Sequence, residues 1–138
     1  MSQDQFYTGG CLCGAVRFEA RGEAVSTSHC HCDMCRRASG APVVTFIGFK
    51  VDDTTQTKGA PKIYKSSAFA ARGFCPDCGS QLTFQFDKHP ERVSFNVGCL
   101  DNPELAQPTR HLFAQEAISW MKMDDGLPHQ EGGSGGRS

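Results

Sequence analysis

The chain is predicted to be mainly β: a single small domain of short antiparallel strands with few and short helices. Three observations predict this. Runs that alternate apolar and polar residues recur, as at Val16-Arg17-Phe18-Glu19-Ala20, which is the period of a half-buried strand. Long helix-period patterns are missing. Seven of the eight cysteines fall into three tight clusters, Cys11-Leu12-Cys13, Cys30-His31-Cys32-Asp33-Met34-Cys35 and Cys75-Pro76-Asp77-Cys78, a spacing that suits metal knuckles better than helices or disulfides.

Val43 to Phe49 concentrates β-branched and aromatic residues and predicts a second strand. Lys62-Ile63-Tyr64 and Arg72-Gly73-Phe74 read as short strands on either side of a Ser66-Ser67 turn. The clearest alternation comes later. Leu82, Phe84 and Phe86 are expected to share one face of a strand, and Val93, Phe95 and Val97 one face of the next. Asp87-Lys88-His89-Pro90-Glu91 serves as the hairpin loop between them. Helix is expected only over Asp33 to Ala38 and after Pro103. The domain should occupy residues 1–128, with 129–138 a flexible Gly/Ser-rich tail.

At 138 residues the chain has the length of one domain, and its 38% hydrophobic content supports an ordinary core. Fourteen basic against fifteen acidic side chains leave a formal net charge of −1, without the basic footprint that nucleic acid or a membrane surface requires. Seven cysteine thiolates add seven negative charges and two divalent zinc ions return four, so the loaded protein sits at about −4. The N-terminal residues have neither a basic nor an apolar signal region, and no window has the roughly 18 apolar residues of a membrane span. A reducing cytoplasm is the expected compartment, where clustered cysteines serve as ligands or catalysts rather than disulfides.

Each cluster has its own logic. The two-residue spacing of Cys75 and Cys78 turns both sulfurs toward one centre, and Gly79 permits a backbone conformation that other residues resist. A redox pair would need a thioredoxin-like βαβ context, which this chain lacks. Cys11 and Cys13 point the same way in an extended strand and meet one ion if the strand bends, for which Gly9, Gly10 and Gly14 are at hand. Cys30, Cys32 and Cys35 bring three sulfurs from six residues. Their fourth position is left for something distant; His29, His31, His111 and Cys99 are the protein candidates, and each taken alone reads as a structural residue before it reads as a ligand. Spacing alone leaves the partition open, and Cys11, Cys13, Cys30 and Cys32 could equally form a closed set.

The pattern Gly-Gly-Cys11-Leu-Cys13-Gly, Cys30-His-Cys32-Asp-Met-Cys35-Arg-Arg-Ala-Ser-Gly and Phe-Cys75-Pro-Asp-Cys78-Gly-Ser resembles the glutathione-dependent formaldehyde-activating enzyme family, in a superfamily shared with centromere protein V. The match continues through Gly98-Cys99-Leu100-Asp101-Asn102-Pro103, Arg110-His111-Leu112-Phe113, Trp120 and Asp125-Gly126-Leu127-Pro128. The resemblance implies a β-tent fold around two zinc ions. It assigns Cys11, Cys13, Cys75 and Cys78 to a structural site and Cys30, Cys32 and Cys35 to an open, catalytic one. Cys99 stands where the family more often has a small or hydroxyl residue.

By that resemblance the protein is a carbon–sulfur lyase, similar to an S-hydroxymethylglutathione synthase, that joins glutathione or a related thiol to formaldehyde or another small aldehyde. An ion held by three thiolates is a modest Lewis acid but suits a soft sulfur ligand. Arg36, Arg37, Lys62, Lys65 and Arg72 are candidates for the carboxylates of glutathione, with Arg36 placed first because it follows a ligand directly. Phe113 and Trp120 read first as buried aromatic core, with pocket walls as the alternative, and His111 as either a hydrogen-bonded structural histidine or a proton carrier. The competing readings are a zinc-stabilised binding module or adduct carrier, and a redox-sensitive zinc switch.

Overall fold

A computed structural model of the chain describes residues 5–121 and 123–134. Among the described residues ten strands form two sheets, with one α-helix between the third strand and the fourth. The small sheet has the order β1 (Phe6–Gly10), β2 (Arg17–Arg21), β5 (Thr54–Lys58). The large one runs β10 (His111–Leu112), β3 (Ser26–Cys30), β4 (Val44–Lys50), β9 (Arg92–Asn96), β8 (Gln81–Phe86), β7 (Ala70–Phe74), β6 (Lys62–Lys65). All pairings are antiparallel except β10 with β3. The expected mainly β architecture with scarce helix is what the chain adopts.

The two faces of the large sheet have different jobs. On one face Ile47, Phe49 and Phe95 meet Tyr7, Phe18 and Ala20 of the small sheet, with Phe18 stacked on Phe95 at 4.1 Å between ring centres. Side chains of this size contribute roughly 1.5–3 kcal/mol each when fully buried. The other face places Ser26, Ser28, Cys30, Phe46, Ser94, Phe84 and Arg72 together, as the strand register requires.

One expectation fails on this second face. Leu82 does not share a side with Phe84 and Phe86. Consecutive Gly73 and Phe74 pair with Thr83 and Gln81, which leaves Leu82 as the extra residue of a bulge. The bulge sends Leu82 into the first core, while Phe84 and Phe86 stay with the cysteines on the opposite face.

Residue alternation predicts none of β1, β3, β5 and β10. Ser26-Thr27-Ser28-His29-Cys30 and Thr54-Thr55-Gln56-Thr57-Lys58 carry no apolar alternation, and their pairing partners hold them extended. The single α-helix, α1, spans Asp33–Ser39 and ends at Gly40, whose φ of 74° turns its N–H back to the Arg36 carbonyl. A 3₁₀ turn at Pro103–Leu105 occupies the place expected for the second helix. Beyond Pro128, Gln130 donates to the His111 carbonyl at 2.8 Å and Phe113 donates to Gly132 at 3.0 Å, so part of the expected free tail lies along β10. Residues 135–138 of that tail fall outside the described residues.

Candidate metal centres and active site

The first cysteine group is built where the two sheets meet. Cys11 and Cys13 follow β1, in a turn that Gly14 closes with φ 82°. Cys75 and Cys78 follow β7 in the connection to β8, and Gly79 there has φ 80°. The four sulfurs lie within 4.8 Å of one another. Sulfurs about 2.3 Å from a tetrahedral ion stand about 3.8 Å apart; Cys11 to Cys13 measures 3.7 Å and Cys13 to Cys75 measures 3.8 Å. The donor set therefore fits a tetrahedral thiolate centre.

Backbone and side chain pre-set this geometry. The Asp77 and Cys78 amides both donate to the Cys75 sulfur at 3.4 Å, and the Val16 amide donates to Cys11 at 3.2 Å. Ser80 bridges the two halves, accepting from the Leu12 amide at 3.0 Å and contacting the Cys78 sulfur at 3.2 Å. The Ser80 hydroxyl and amide hold the Cys78 thiol down at about 5, in the ionised form that a metal needs. Sequence reasoning did not single out Ser80.

The second group, Cys30, Cys32 and Cys35, is buried on the other face, its sulfurs again within 4.8 Å of one another. Cys30 ends β3; Cys32 caps α1, its sulfur accepting the Cys35 amide at 3.3 Å; Cys35 sits one turn into the helix. Hydrogen bonds from the Cys30 and Cys35 thiols push Cys32 well below the usual thiol range, and the same contact with Cys32 pushes Cys30 up. Three sulfurs this close to one another form a donor set that a soft cation can hold by displacing their protons.

Among the described residues no fourth His, Cys, Asp or Glu joins this group. Cys99 lies elsewhere: its thiol donates to the Gln81 carbonyl at 3.2 Å and it packs against the first core, beside Cys11 and Cys78. It neither closes the second site nor pairs with its cysteines.

The three candidate histidines lie in a buried network that leaves the Nδ1 atom of His31 without a partner among the described residues. His111 is fully buried, bonded to Asp125 through Nε2 at 2.9 Å and to His31 through Nδ1 at 2.8 Å. His29 bonds Thr45 at 2.8 Å through Nδ1. Burial, followed by the nearby His111, lowers the pKa of both His29 and His31. His29, His111 and Asp125 bring donor atoms within 4.8 Å, but this network lies away from the three-cysteine cavity. No sequence signal links positions 31, 111 and 125.

The three thiols face a cavity of about 320 Å³. Of the five cations proposed from sequence, Arg72 lines it and Arg36, Arg37, Lys62 and Lys65 do not. Arg72 is buried, donates to the Cys35 sulfur at 3.5 Å and stacks its guanidinium over Phe84 at 4.8 Å. The signal for it was present: a lone charge inside the strand Ala70-Ala71-Arg72-Gly73-Phe74. Phe113 lines the cavity as expected of a wall, whereas Trp120 does not and is 71% exposed.

The fold and these donor sets define a small β protein with two cysteine groups able to hold metal ions, one closed by four sulfurs and one left with three. The chain belongs to the glutathione-dependent formaldehyde-activating enzyme family, whose model matches residues 6–116. It is 36% identical over 80 residues to an uncharacterized lyase of Schizosaccharomyces pombe, a stretch that covers 58% of this chain and 58% of that relative's length. It is 27% identical over 130 residues to a Halomonas elongata protein named "Putative glutathione-dependent formaldehyde-activating enzyme", covering 84% of this chain and 80% of that protein. The crystal structure of a Rhodobacter sphaeroides protein superposes with a TM-score of 0.55 at 29% identity, over 73% of this chain and 96% of the other. No helix of the described chain is long and apolar enough to cross a membrane.

Proposed function

We propose that the chain is a carbon–sulfur lyase-type enzyme that adds a thiol of the glutathione class to a small aldehyde at the Cys30, Cys32, Cys35 site, with zinc in both cysteine groups. The observation that carries this reading is the three-thiol set, which opens on a cavity and has no fourth protein donor among the described residues. Family membership supports the thiol and aldehyde as reactants. When bound, zinc held by three thiolates supplies a soft vacant position that keeps a visiting sulfur in its nucleophilic thiolate form.

The chain's own residues do the rest. Arg72 presents a buried guanidinium beside Cys35, where it offsets the negative charge of the cluster and offers N–H donors to one carboxylate of the thiol. The aromatic walls exclude water, which strengthens both interactions. In the addition the thiol sulfur forms a bond to the aldehyde carbon, and the carbonyl π pair moves onto oxygen. That oxygen takes up the proton lost from the thiol. Nothing is oxidised or reduced, and reversal of the same step is the lyase reaction.

The test is metal counting with and without glutathione, together with Cys32→Ser. Two zinc ions per chain are expected, one of them labile to the thiol. Cys32→Ser should fold, retain one zinc and lose adduct formation. Wild-type adduct formation no faster than in buffer, across several aldehydes, would leave a thiol or adduct carrier in place of an enzyme.

A further inference from the structure

We infer that the adduct handled at this site carries an apolar substituent of about phenyl size, seated in the cavity beside Cys30, Cys32 and Cys35. The inference rests on the thiol–aldehyde reading above and extends it from the reacting atoms to what they are attached to.

The walls are Phe46, Phe69, Phe84, Phe86, Phe113 and Met34. Arg72 is the one charged side chain among the described residues that line the space. A volume of about 320 Å³ falls at the lower end of sites that enclose whole small molecules, about 300–1,000 Å³. Formaldehyde has two heavy atoms and leaves most of that space unused. Glutathione does not suit it either. Its two carboxylates and ammonium would meet phenyl rings, neutral serine hydroxyls and a single countercharge, and a charge left without a charged partner among rings is costly. The arrangement fits a thiol with one carboxylate on the buried Arg72 and its other polar groups outside the ring-lined space, while an apolar group fills the interior.

The strand register shows how the interior is hollowed. Ser26, Gly48, Ser94, Phe84 and Arg72 lie in one row across five strands. Gly48 has no side chain, and a Cβ there would stand 3.3 Å from the hydroxyls of both Ser26 and Ser94. Small residues therefore make a floor. Rings stand around it: Phe84 meets Phe86 edge-on at 4.8 Å and Phe46 at 5.8 Å. Along β3 the cavity reaches from Cys30 to Ser26, four residues or about 13 Å of strand. Edge and face positions around a flat gap are what an aromatic or compact aliphatic group prefers.

Two arms separate the sources of the substituent. With glutathione fixed, kcat/KM is measured for formaldehyde, propanal, hexanal and phenylacetaldehyde above the uncatalysed rate; with formaldehyde fixed, the thiol is varied from glutathione to 2-phenylethanethiol. Binding is read independently of turnover by calorimetric titration with S-methylglutathione and S-benzylglutathione. The apolar member of at least one arm should gain about tenfold or more, and S-benzylglutathione should bind about tenfold tighter than S-methylglutathione. Phe84→Ser should erase most of that ratio and Phe84→Leu should keep most of it, with zinc content reporting that each variant is folded. Equal affinity of the two thioethers and no gain in either arm, with formaldehyde still turned over, would overturn the substituent and leave the addition chemistry standing. Selective binding of S-benzylglutathione without turnover of any pair would do the reverse.

Discussion

The two cysteine groups use the same atoms for opposite ends. The four-sulfur group draws its cysteines from two segments 62 residues apart, so a metal bound there would tie the small sheet to the hairpin of the large one. It reaches the surface at Cys13 and at Leu12, which is 90% exposed, yet a metal bound there would act globally because it would close a long loop. The three-sulfur group takes all its ligands from one stretch of six residues. It ties nothing distant together. It is nevertheless the more buried of the two and opens on the aromatic cavity. Burial alone does not separate the roles proposed for the two groups; the sequence separation of their cysteines is the feature that assigns fold support to the first and exchange to the second under that proposal.

That contrast can be broken at several points. Cys75→Ser should have the largest effect. Loss of one ligand from the group that joins the sheets should cost more than about 5 kcal/mol, comparable with the whole stability of a small domain. The check is near-ultraviolet circular dichroism with zinc analysis, and a folded Cys75→Ser protein would show that the group is dispensable. Cys32→Ser should leave the melting transition in place and lower adduct formation by roughly 100-fold or more. If it unfolds as Cys75→Ser does, the second site is structural and the contrast disappears.

Arg72→Met sharpens the comparison without touching a ligand. Its guanidinium donates to the Cys35 sulfur, so metal affinity at the three-sulfur group should fall about 10- to 100-fold, read by chelator competition. The four-sulfur group should be unchanged. Arg72→Lys should recover only part of the loss, because an ammonium cannot both stack on Phe84 and reach the sulfur. An equal loss at both groups would mean that Arg72 acts on the fold.

The smallest effect concerns Asp101, which pairs with Arg17 and accepts from Thr8 at 2.7 Å near the four-sulfur end. These partners hold its carboxyl at about 2, below the unfolded value of about 3.9. Its stabilising contribution is therefore present above about pH 4 and is lost as the pH falls toward 2. The carboxylate is 47% exposed, so solvent screening limits the contribution to a few tenths of a kcal/mol. Asp101→Asn should flatten that part of the acid limb in a urea titration against pH and leave the melting temperature at pH 7 within a degree or two.

Much of this was legible beforehand where the information is local. The alternation at Val16 to Ala20 and Val93 to Phe95, the Cys75-Pro76-Asp77-Cys78-Gly79 knuckle and the helix at Asp33 each rest on neighbours in the chain. The polar strands at Ser26–Cys30 and Thr54–Lys58 were invisible because their extended form is imposed by partners rather than by their own pattern. The misplaced Leu82 has the same origin, since a bulge depends on how two strands pair. Arg36, chosen for adjacency to a ligand, does not line the cavity, whereas Arg72 does, from a strand 37 residues beyond Cys35.

The sequence by itself determined the donor chemistry: how many thiols there are, how tightly they cluster and that they divide as four and three. Spacing restricts which sulfurs can reach a common point, and the family resemblance supplied the partition. Tertiary structure decided that the two groups lie on different faces of one sheet, that Cys99 stays apart from the open group, and that a buried guanidinium and a ring-lined hollow face the three sulfurs. Those outcomes depend on strand register and on a bulge, which are properties of pairs of segments and cannot be written into either segment alone.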